Sequence, residues 1–200
     1  MIERSNTAQW LQSRLGCLTA SRMADAMATL KSGKPAEAQT KLAYELLAER
    51  LTQASVAHYV TPAMQWGIDN QSGAIAAYEN ARGVLVGPES FFLHDSIDFF
   101  GATPDGLVDQ HGLVEVKCPT SPTFVRWAMT GDVPVEYKPQ MLAQLACTGR
   151  HWVDFVAYDP RMPARQQLFI RRFHPEREEI AAIEAAAREF LGSVEKMFEQ

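Results

Sequence analysis

The 200 residues are 46% hydrophobic and 22% charged, which is enough apolar material for one substantial core and too little for two ordinary domains. No uncharged stretch approaches the roughly 20 apolar residues that a membrane span needs, and the opening segment MIERSNTAQW has no apolar signal-peptide core. We therefore expect one domain over residues 1–200, located in the cytoplasm.

The formal net charge of -5 argues weakly against a nucleic-acid partner, because phosphate-binding proteins usually display a basic surface. A local basic groove would be sufficient for an enzyme with an acidic metal site. The three cysteines lie far apart with no C-x-x-C pair, which excludes a disulfide framework and a four-thiolate cluster within one chain. The cations that could line a groove are Arg14, Arg22, Lys31, Lys34 and Lys117.

Three helices are predicted in the first part of the chain. The first begins near residues 19–21 and ends at the Ser-Gly-Lys-Pro break over 32–35. The second covers about 36–52, and the third covers about 62–80, with Pro62 in its first turn and Gly83 beyond its end. The apolar positions that define the first two are Met23, Met27, Leu30, Leu42, Leu46, Leu47 and Leu51.

The second part of the chain alternates between strands and helices. Short apolar runs with Gly, Pro and Asp between them predict a meander of strands over 84–117. Two helical pieces follow over 120–149, split near 131–134, and strands are predicted at 152–158 and 167–173. An amphipathic helix over 175–200 ends the chain. The expected fold class is α/β (α+β), with a mixed central β-sheet flanked by helices.

The segment GATPDGLVDQHGLVEVKCP, residues 101–119, carries the chemistry. Side chains alternate faces along a strand, so Glu115 and Lys117 share one side while Val114 and Val116 face the other side. Asp105 lies ten residues before Glu115, and a hairpin would bring the two carboxylates together. Paired carboxylates form a hard-oxygen site for Mg²⁺, and Lys117 could position or deprotonate an attacking water.

A structural interpretation of the same residues exists. Pro-Asp-Gly is a common turn, and the exposed face of many amphipathic strands reads Glu-x-Lys. The combination of Asp105 at a tight turn with Glu115 and Lys117 on one strand face favours a catalytic site over this interpretation.

The sequence resembles the phage lambda exonuclease or YqaJ-type viral recombinase family of PD-(D/E)XK nucleases. The resemblance implies a restriction-endonuclease-like core and a homotrimeric ring. It also implies that the protein digests the 5′-ended strand of duplex DNA processively and leaves a 3′ single strand for a partner annealing protein. The matching segments are Arg14-Leu15-Gly16, Thr19-Ala20-Ser21, Trp66-Gly67, Pro104-Asp105-Gly106, Glu115-Val116-Lys117-Cys118-Pro119, Tyr137 with Gln140, and Tyr158-Asp159-Pro160-Arg161-Met162.

By this resemblance, Asp105, Glu115 and the carbonyl of Val116 would bind Mg²⁺, for which Mn²⁺ would substitute. Lys117 would activate the attacking water. Gln140 would orient the water or the scissile phosphate.

A pocket for the 5′-phosphate of the DNA would be formed by Arg14 and Ser21, with Thr103 where a well-known member has serine. Arginine offers a planar fork to phosphate oxygens, and Ser21 would lie at a predicted helix N-terminus with free N–H groups. Without the resemblance, Arg14 would be read as an ordinary surface cation.

Position 71 departs from the family pattern, which has a glutamate four residues after the glycine of Trp-Gly. Gln71 could contribute an amide oxygen to a metal or to a metal-bound water, but it carries no negative charge. Occupancy of a second metal position is therefore an open question from the sequence.

Other interpretations remain at this point. An endonuclease, or a nuclease of other polarity or strand specificity, would share the same core chemistry. A DNA-binding module with impaired catalysis is a different class, although it would have no reason to keep two repelling carboxylates. An iron–sulfur nuclease would need four placed cysteines. The five histidines show no metal-ligand spacing, and Cys118 faces away from Glu115 and is expected to pack.

Overall fold

The computed structural model describes residues 2–3, 8–56 and 59–198. The helices are α1 (Ala8–Ser13), α2 (Met23–Ala26), α3 (Glu37–Thr52), α4 (Pro62–Arg82), α5 (Ser121–Thr130), α6 (Lys138–Thr148) and α7 (Arg177–Phe198). The strands are β1 (Ile2–Glu3), β2 (Leu18–Thr19), β3 (Val86–Gly87), β4 (Ser90–Leu93), β5 (Phe100–Ala102), β6 (Gly106–Val108), β7 (Gly112–Lys117), β8 (Trp152–Tyr158) and β9 (Leu168–Phe173).

The strands form two sheets. A five-stranded sheet has the order β3-β6-β7-β8-β9, and a four-stranded sheet has the order β1-β4-β5-β2. The chain passes from one sheet to the other between β3 and β4 and passes back between β5 and β6. The predicted continuous meander over 84–117 is therefore wrong in detail, because these strands are divided between two sheets.

The five-stranded sheet is mixed, since β7 pairs antiparallel with β6 and parallel with β8. Helix α4 covers one face, where Tyr78 packs with Val114 and Val116. Helices α5 and α6 cover the other face, where Trp127 and Met141 pack with Leu113 and Phe155. Both faces of β7 are thus covered, which confirms the predicted mixed sheet flanked by helices. The strand is not an amphipathic strand with one exposed face.

Helix α4 begins and ends as its sequence predicts. The Thr61 hydroxyl accepts a hydrogen bond from the backbone N–H of Met64 at 3.2 Å, and Pro62 occupies the first turn, where its missing N–H costs nothing. Gly83 ends the helix with φ 67°, a left-handed conformation that favours glycine. The predicted break between the next two helices is also confirmed, since α5 ends at Thr130 and Gly131 follows as its C-cap.

The first predicted helix is wrong in extent. A 3₁₀ turn over Ala20–Arg22 leads into α2, which has only one turn, and an isolated bridge then pairs Thr29 with Pro35. Met27 and Leu30 are exposed, so they do not continue a buried helical face. In α3 the helix is confirmed, but Leu51 is exposed and does not belong to the buried face that contains Leu42 and Leu46.

The closing helix α7 packs against α3 and α6, with Ile183, Phe190 and Val194 buried. This confirms its predicted amphipathic character. Among the described helices, none is long and apolar enough to cross a membrane.

Candidate active site

The β6–β7 hairpin brings Asp105 next to the end of β7. Gly106 pairs with Val114, and the Asp105 Oδ2 atom accepts a hydrogen bond from the backbone N–H of Val116 at 2.7 Å. A side chain at position 106 would collide with Val86, whose Cγ1 atom would lie 2.1 Å from an added Cβ. Asp105 itself lies in the connection from β5 to β6. The predicted proximity of the aspartate and the Glu-Val-Lys strand is therefore observed, although this aspartate occupies a bend between strands of different sheets.

Glu115 is a buried carboxylate, with 1% of its surface exposed. Its Oε1 atom accepts hydrogen bonds from Lys117 Nζ and from Gln140 Nε2, the latter at 2.6 Å. Its Oε2 atom accepts a hydrogen bond from Gln144 Nε2 at 2.5 Å. Gln140 and Gln144 are four residues apart on α6, so both amides face the sheet from successive turns. These contacts compensate the charge and hold the carboxylate in one orientation.

The two carboxylates and the lysine shift one another's protonation. Burial and the neighbouring charge of Glu115 raise the pKa of Asp105 to about 8, against 3.8 for an ordinary aspartate. Burial alone would lower the pKa of Lys117, but the carboxylates of Glu115 and Asp105 outweigh this and raise it above its usual value. Lys117 is therefore a charged ammonium in the metal-free protein, which favours a positioning role over a role as resting base.

The donor set fits a divalent cation. Asp105 and Glu115 offer hard oxygen ligands, and burial, followed by the charge of Glu115, raises the pKa of Asp105. In the described part of the chain, no three His, Cys, Asp or Glu side chains are arranged to hold a metal ion by themselves. Amide oxygens, a backbone carbonyl and water would therefore complete the coordination, as is common for Mg²⁺.

Gln71 faces the carboxylates, as its position after Trp66-Gly67 predicts. Its Nε2 atom donates to Asp105 Oδ1 at 3.0 Å and also to Glu89 Oε1. The amide nitrogen, not the oxygen, thus contacts the acidic groups. Glu89 lies in the connection from β3 to β4 and was not among the residues that the sequence singled out.

All the predicted site residues line one cavity of about 640 Å³. Trp10 and Trp127, which the sequence did not single out, and Tyr137, one of the matching family positions, contribute aromatic walls. Of the five predicted groove cations, two line this cavity, whereas Arg22 is bound by Asp25 and Glu45 at 3.0 and 2.9 Å. The predicted residues in its lining are Arg14, Ser21, Gln71, Thr103, Asp105, Glu115, Val116, Lys117 and Gln140.

The residues predicted to bind phosphate line this cavity, but the surroundings of Arg14 and Ser21 differ from those expected from the sequence. The Arg14 guanidinium stacks on the Trp10 ring, 4.3 Å from its centroid. The Oγ1 atom of Thr103 is buried and has no hydrogen-bond partner among the described residues, so it can bond to a ligand oxygen. Ser21 lies in the 3₁₀ turn and contacts Thr19 at 3.4 Å. The helix N-terminus predicted at Ser21 is thus a 3₁₀ turn of three residues, and the Ser21 side chain lines the cavity.

The Tyr-Asp-Pro-Arg-Met segment, residues 158–162, contacts residues next to the cavity. Arg161 bonds to Asp159 through Nε at 2.7 Å and donates to the Pro119 carbonyl at 3.0 Å. Its guanidinium also stacks on Trp66, 4.4 Å from the ring centroid. Arg161 thereby links Trp66, near the start of α4, to Pro119, which lies two residues after the end of β7. Cys118 packs against the core on the α4 side of the sheet, as expected.

Comparison with known proteins identifies the family. The model of the YqaJ-like viral recombinase domain matches residues 9–151, more than half of the chain. This chain belongs to the YqaJ-like viral recombinase family. A solved alkaline exonuclease from Laribacter hongkongensis is 39% identical, with 96% of this chain and 95% of that chain covered and a TM-score of 0.89. The chain is therefore a nuclease with the PD-(D/E)XK-like core that the sequence predicted.

Two further structures extend the comparison. The complex of the Laribacter enzyme with dAMP gives the same identity, coverage and TM-score. A phage-related exonuclease from Haemophilus somnus 129PT is 14% identical over 90% of this chain and 96% of that chain, with a TM-score of 0.64, and supports the fold alone. The search of curated proteins found no significant match.

Replacing Asp105 by asparagine is expected to stabilise this YqaJ-family nuclease in the absence of metal. Since the folded-state pKa of Asp105 is raised, the folded protein holds an extra proton between about pH 4 and 8, and its free energy of unfolding falls as the pH rises through this window. Asparagine does not titrate. The melting temperature of the variant should exceed that of the wild type by about 2–4 °C at the alkaline end, a shift expected for about 1 kcal/mol in a chain of this size. The two should converge at the acidic end. Thermal melts in chelator across this pH range provide the measurement, and parallel curves would contradict the shift.

Replacing Gln144 by methionine is expected to lower kcat about 10–100-fold with little change in KM. The substitution keeps the shape of the side chain but removes the donor to Glu115 Oε2, so the carboxylate is no longer fixed in the reactive orientation. Thr148→Val is the matched control, because the Thr148 hydroxyl donates to the Gln144 carbonyl at 2.8 Å and accepts from the Arg150 backbone N–H at 3.4 Å, away from Glu115. Steady-state kinetics on linear duplex should show the loss in the first variant alone. An undiminished kcat in Gln144→Met would exclude this role.

Proposed function

We propose that this nuclease is a cytoplasmic, Mg²⁺-dependent, processive 5′-to-3′ exonuclease. It digests the 5′-ended strand of linear duplex DNA and leaves a 3′ single strand for a partner annealing protein. The observation that carries the proposal is the convergence in one cavity of Asp105, Glu115 and Lys117 with the phosphate-binding candidates Arg14 and Thr103. An end-binding pocket beside the reactive carboxylates suits an enzyme that starts at a DNA terminus.

Asp105, Glu115 and the Val116 carbonyl would hold the cation, and Mn²⁺ would substitute for Mg²⁺. When bound, the cation activates water and stabilises the negative charge that develops on the phosphate. Gln140 and Lys117 both donate to Glu115 Oε1. The Lys117 ammonium has three N–H donors, so those that do not bond to Glu115 could orient an attacking water. Arg14 would bind the 5′-phosphate through its guanidinium fork, with Thr103 donating to another oxygen.

A homotrimeric ring around the duplex would account for processive digestion, since an enclosed DNA cannot dissociate between successive cleavages. This assembly rests on the family, as does the annealing partner. Sedimentation of the protein at micromolar concentration tests the ring: a trimer supports it, and a monomer or dimer argues against it. The Laribacter enzyme binds dAMP, a 5′-mononucleotide of the kind that such digestion would release.

The polarity is tested with linear duplexes that carry a label at one 5′ or one 3′ end, with a closed circle as the third substrate. We expect Mg²⁺-dependent mononucleotide release from the 5′-ended strand and no cutting of the circle. A 5′-phosphorylated end should be degraded at least about tenfold faster than a 5′-hydroxyl end, because a desolvated arginine–phosphate contact contributes about 1.5–3 kcal/mol. Arg14→Ala should remove most of this preference, whereas Arg126→Ala, outside the cavity, should retain it.

Four results would contradict the proposal. Equal rates on both kinds of 5′ end would exclude the phosphate pocket. Release from the 3′-ended strand would exclude the polarity, and cleavage of the circle would indicate an endonuclease. Hydrolysis in excess chelator would exclude the dependence on a divalent cation.

A further inference from the structure

Glu89 lies next to the catalytic carboxylates although it is remote from them in sequence. It occupies the connection from β3 to β4, and Asp105 occupies the connection from β5 to β6. Both connections run between the five-stranded and the four-stranded sheets, so the topology places them side by side. Glu89 is half-buried.

The Gln71 amide bridges these two acids. The same nitrogen donates to Glu89 Oε1 and, at 3.0 Å, to Asp105 Oδ1, so both amide hydrogens are directed at carboxylate oxygens. A partly positive NH₂ group between two carboxylates occupies the kind of position that a cation would take. The neutral glutamine is therefore matched by an acidic partner, whereas a glutamate at position 71 would face two carboxylates.

Glu89 thus shares the Gln71 amide with Asp105, and Asp105 and Glu115 both line the reaction-centre cavity. Lys117 is the cation in contact with Glu115, and Gln71 brings no charge. A divalent cation at Asp105 and Glu115 would hold both in the ionised form, and a third carboxylate beside them would add to its electrostatic attraction. Hard, closely spaced oxygens are the ligands that Mg²⁺ and Mn²⁺ prefer.

We propose that Glu89 supplies the third acidic side chain of the divalent-cation site, in place of the charge that Gln71 lacks. Glu89 would hold the cation directly or through a water, and the Gln71 amide would then give up its bridging hydrogen bonds. The inference rests on the proposed function, because it assigns a residue to the metal site of that nuclease.

Manganese binding by the intact protein tests this assignment without any measurement of activity. Free Mn²⁺ is followed by electron paramagnetic resonance as protein is titrated, and circular dichroism checks the fold of each variant. Glu89→Gln should raise the Kd about tenfold or more, since a neutral amide attracts a divalent cation much less strongly than a carboxylate does. The matched control is Asp69→Asn, which removes a charge from α4 at a residue that bonds to Gln65 at 2.7 Å. Its Kd should change less than about twofold.

Two further variants separate a cation-binding Glu89 from one that only holds Gln71. The double variant Q71E/E89Q exchanges the carboxylate and the amide between positions 71 and 89. Its affinity for Mn²⁺ should recover to within about threefold of the wild type. Gln71→Ala removes the bridge but keeps Glu89, so its affinity should equal or exceed that of the wild type. This second variant also decides the matter if Glu89→Gln does not fold.

The proposal is overturned if Glu89→Gln binds Mn²⁺ as the Asp69→Asn control does, or if Gln71→Ala loses affinity. The second result would assign the Gln71 amide oxygen to the metal. A wild-type protein that cuts linear DNA while Glu89→Gln binds normally defeats this inference alone. A wild-type protein that binds Mn²⁺ but cuts no DNA defeats the proposed function, and the comparison of Kd values still reports on Glu89.

Discussion

Replacing Glu115 by glutamine is expected to lower the rate of DNA hydrolysis at least about a thousandfold. Loss of a group that positions a catalytic cation removes several kcal/mol of transition-state stabilisation, and each 1.36 kcal/mol corresponds to about a factor of ten. Glutamine keeps the size of the side chain, but its NH₂ group would face the donors of Gln140 or Gln144. The variant should also bind Mn²⁺ weakly, because the carboxylate proposed as a ligand is lost.

The measurement is single-turnover hydrolysis of linear duplex at saturating Mg²⁺. Glu189→Gln, on an exposed face of α7, is the control for a general change of charge and should keep the wild-type rate. Thermal melts establish that each variant is folded. A Glu115→Gln enzyme that retains more than about a tenth of the wild-type rate would falsify the assignment of Glu115 to the reaction centre.

Replacing Lys117 by methionine is expected to reduce kcat about 100-fold or more while leaving Mn²⁺ affinity unchanged or tighter. The ammonium competes with a cation for Glu115 Oε1, so its removal leaves the carboxylate more available. The lost rate reflects the loss of a group that orients or protonates reacting oxygens, effects of about 10²–10⁴-fold. Opposite changes in kcat and Kd would distinguish this lysine from a ligand of the metal.

Lys117→Arg separates positioning from proton transfer. Arginine keeps the positive charge and donors but is not deprotonated in proteins. Because Glu115 and Asp105 raise the pKa of Lys117 despite its burial, we expect the charged form to act, and Lys117→Arg should recover part of the rate lost in Lys117→Met. An arginine variant as inactive as the methionine variant, together with wild-type activity that rises into alkaline pH, would instead indicate a true base.

The structure bears on the alternative of a binding module with impaired catalysis. Glu115 is buried with donors on both oxygens, and burying an ionised carboxylate is costly. A DNA-holding protein would gain nothing from this arrangement, because a carboxylate repels phosphate. The alternative of an iron–sulfur nuclease also finds no support, since the three cysteines are distributed over three core clusters.

The sequence by itself determined the features that depend on neighbouring residues. The spacing of Glu115 and Lys117 placed both side chains on one side of β7. Pro62 in the first turn and Gly83 beyond the end indicated where α4 begins and ends. Capping and strand alternation act over a few residues, so they can be read locally. The family motifs added Arg14, Thr103 and Gln140, which the fold brings to the same cavity.

Only the tertiary structure decided where the first helix ends and which distant residues contact the carboxylates. The helix predicted from residue 19 ends after α2, because the bridge between Thr29 and Pro35 takes over the backbone pairing. Glu89 stands in an unremarkable Gly-Pro-Glu-Ser segment, and Gln144 sits in an ordinary helix. Their partners are 18 and 29 residues away. Contacts of this kind depend on which connections and helix faces pack together when the two sheets assemble. Local hydrophobic periodicity and helix caps do not specify that packing.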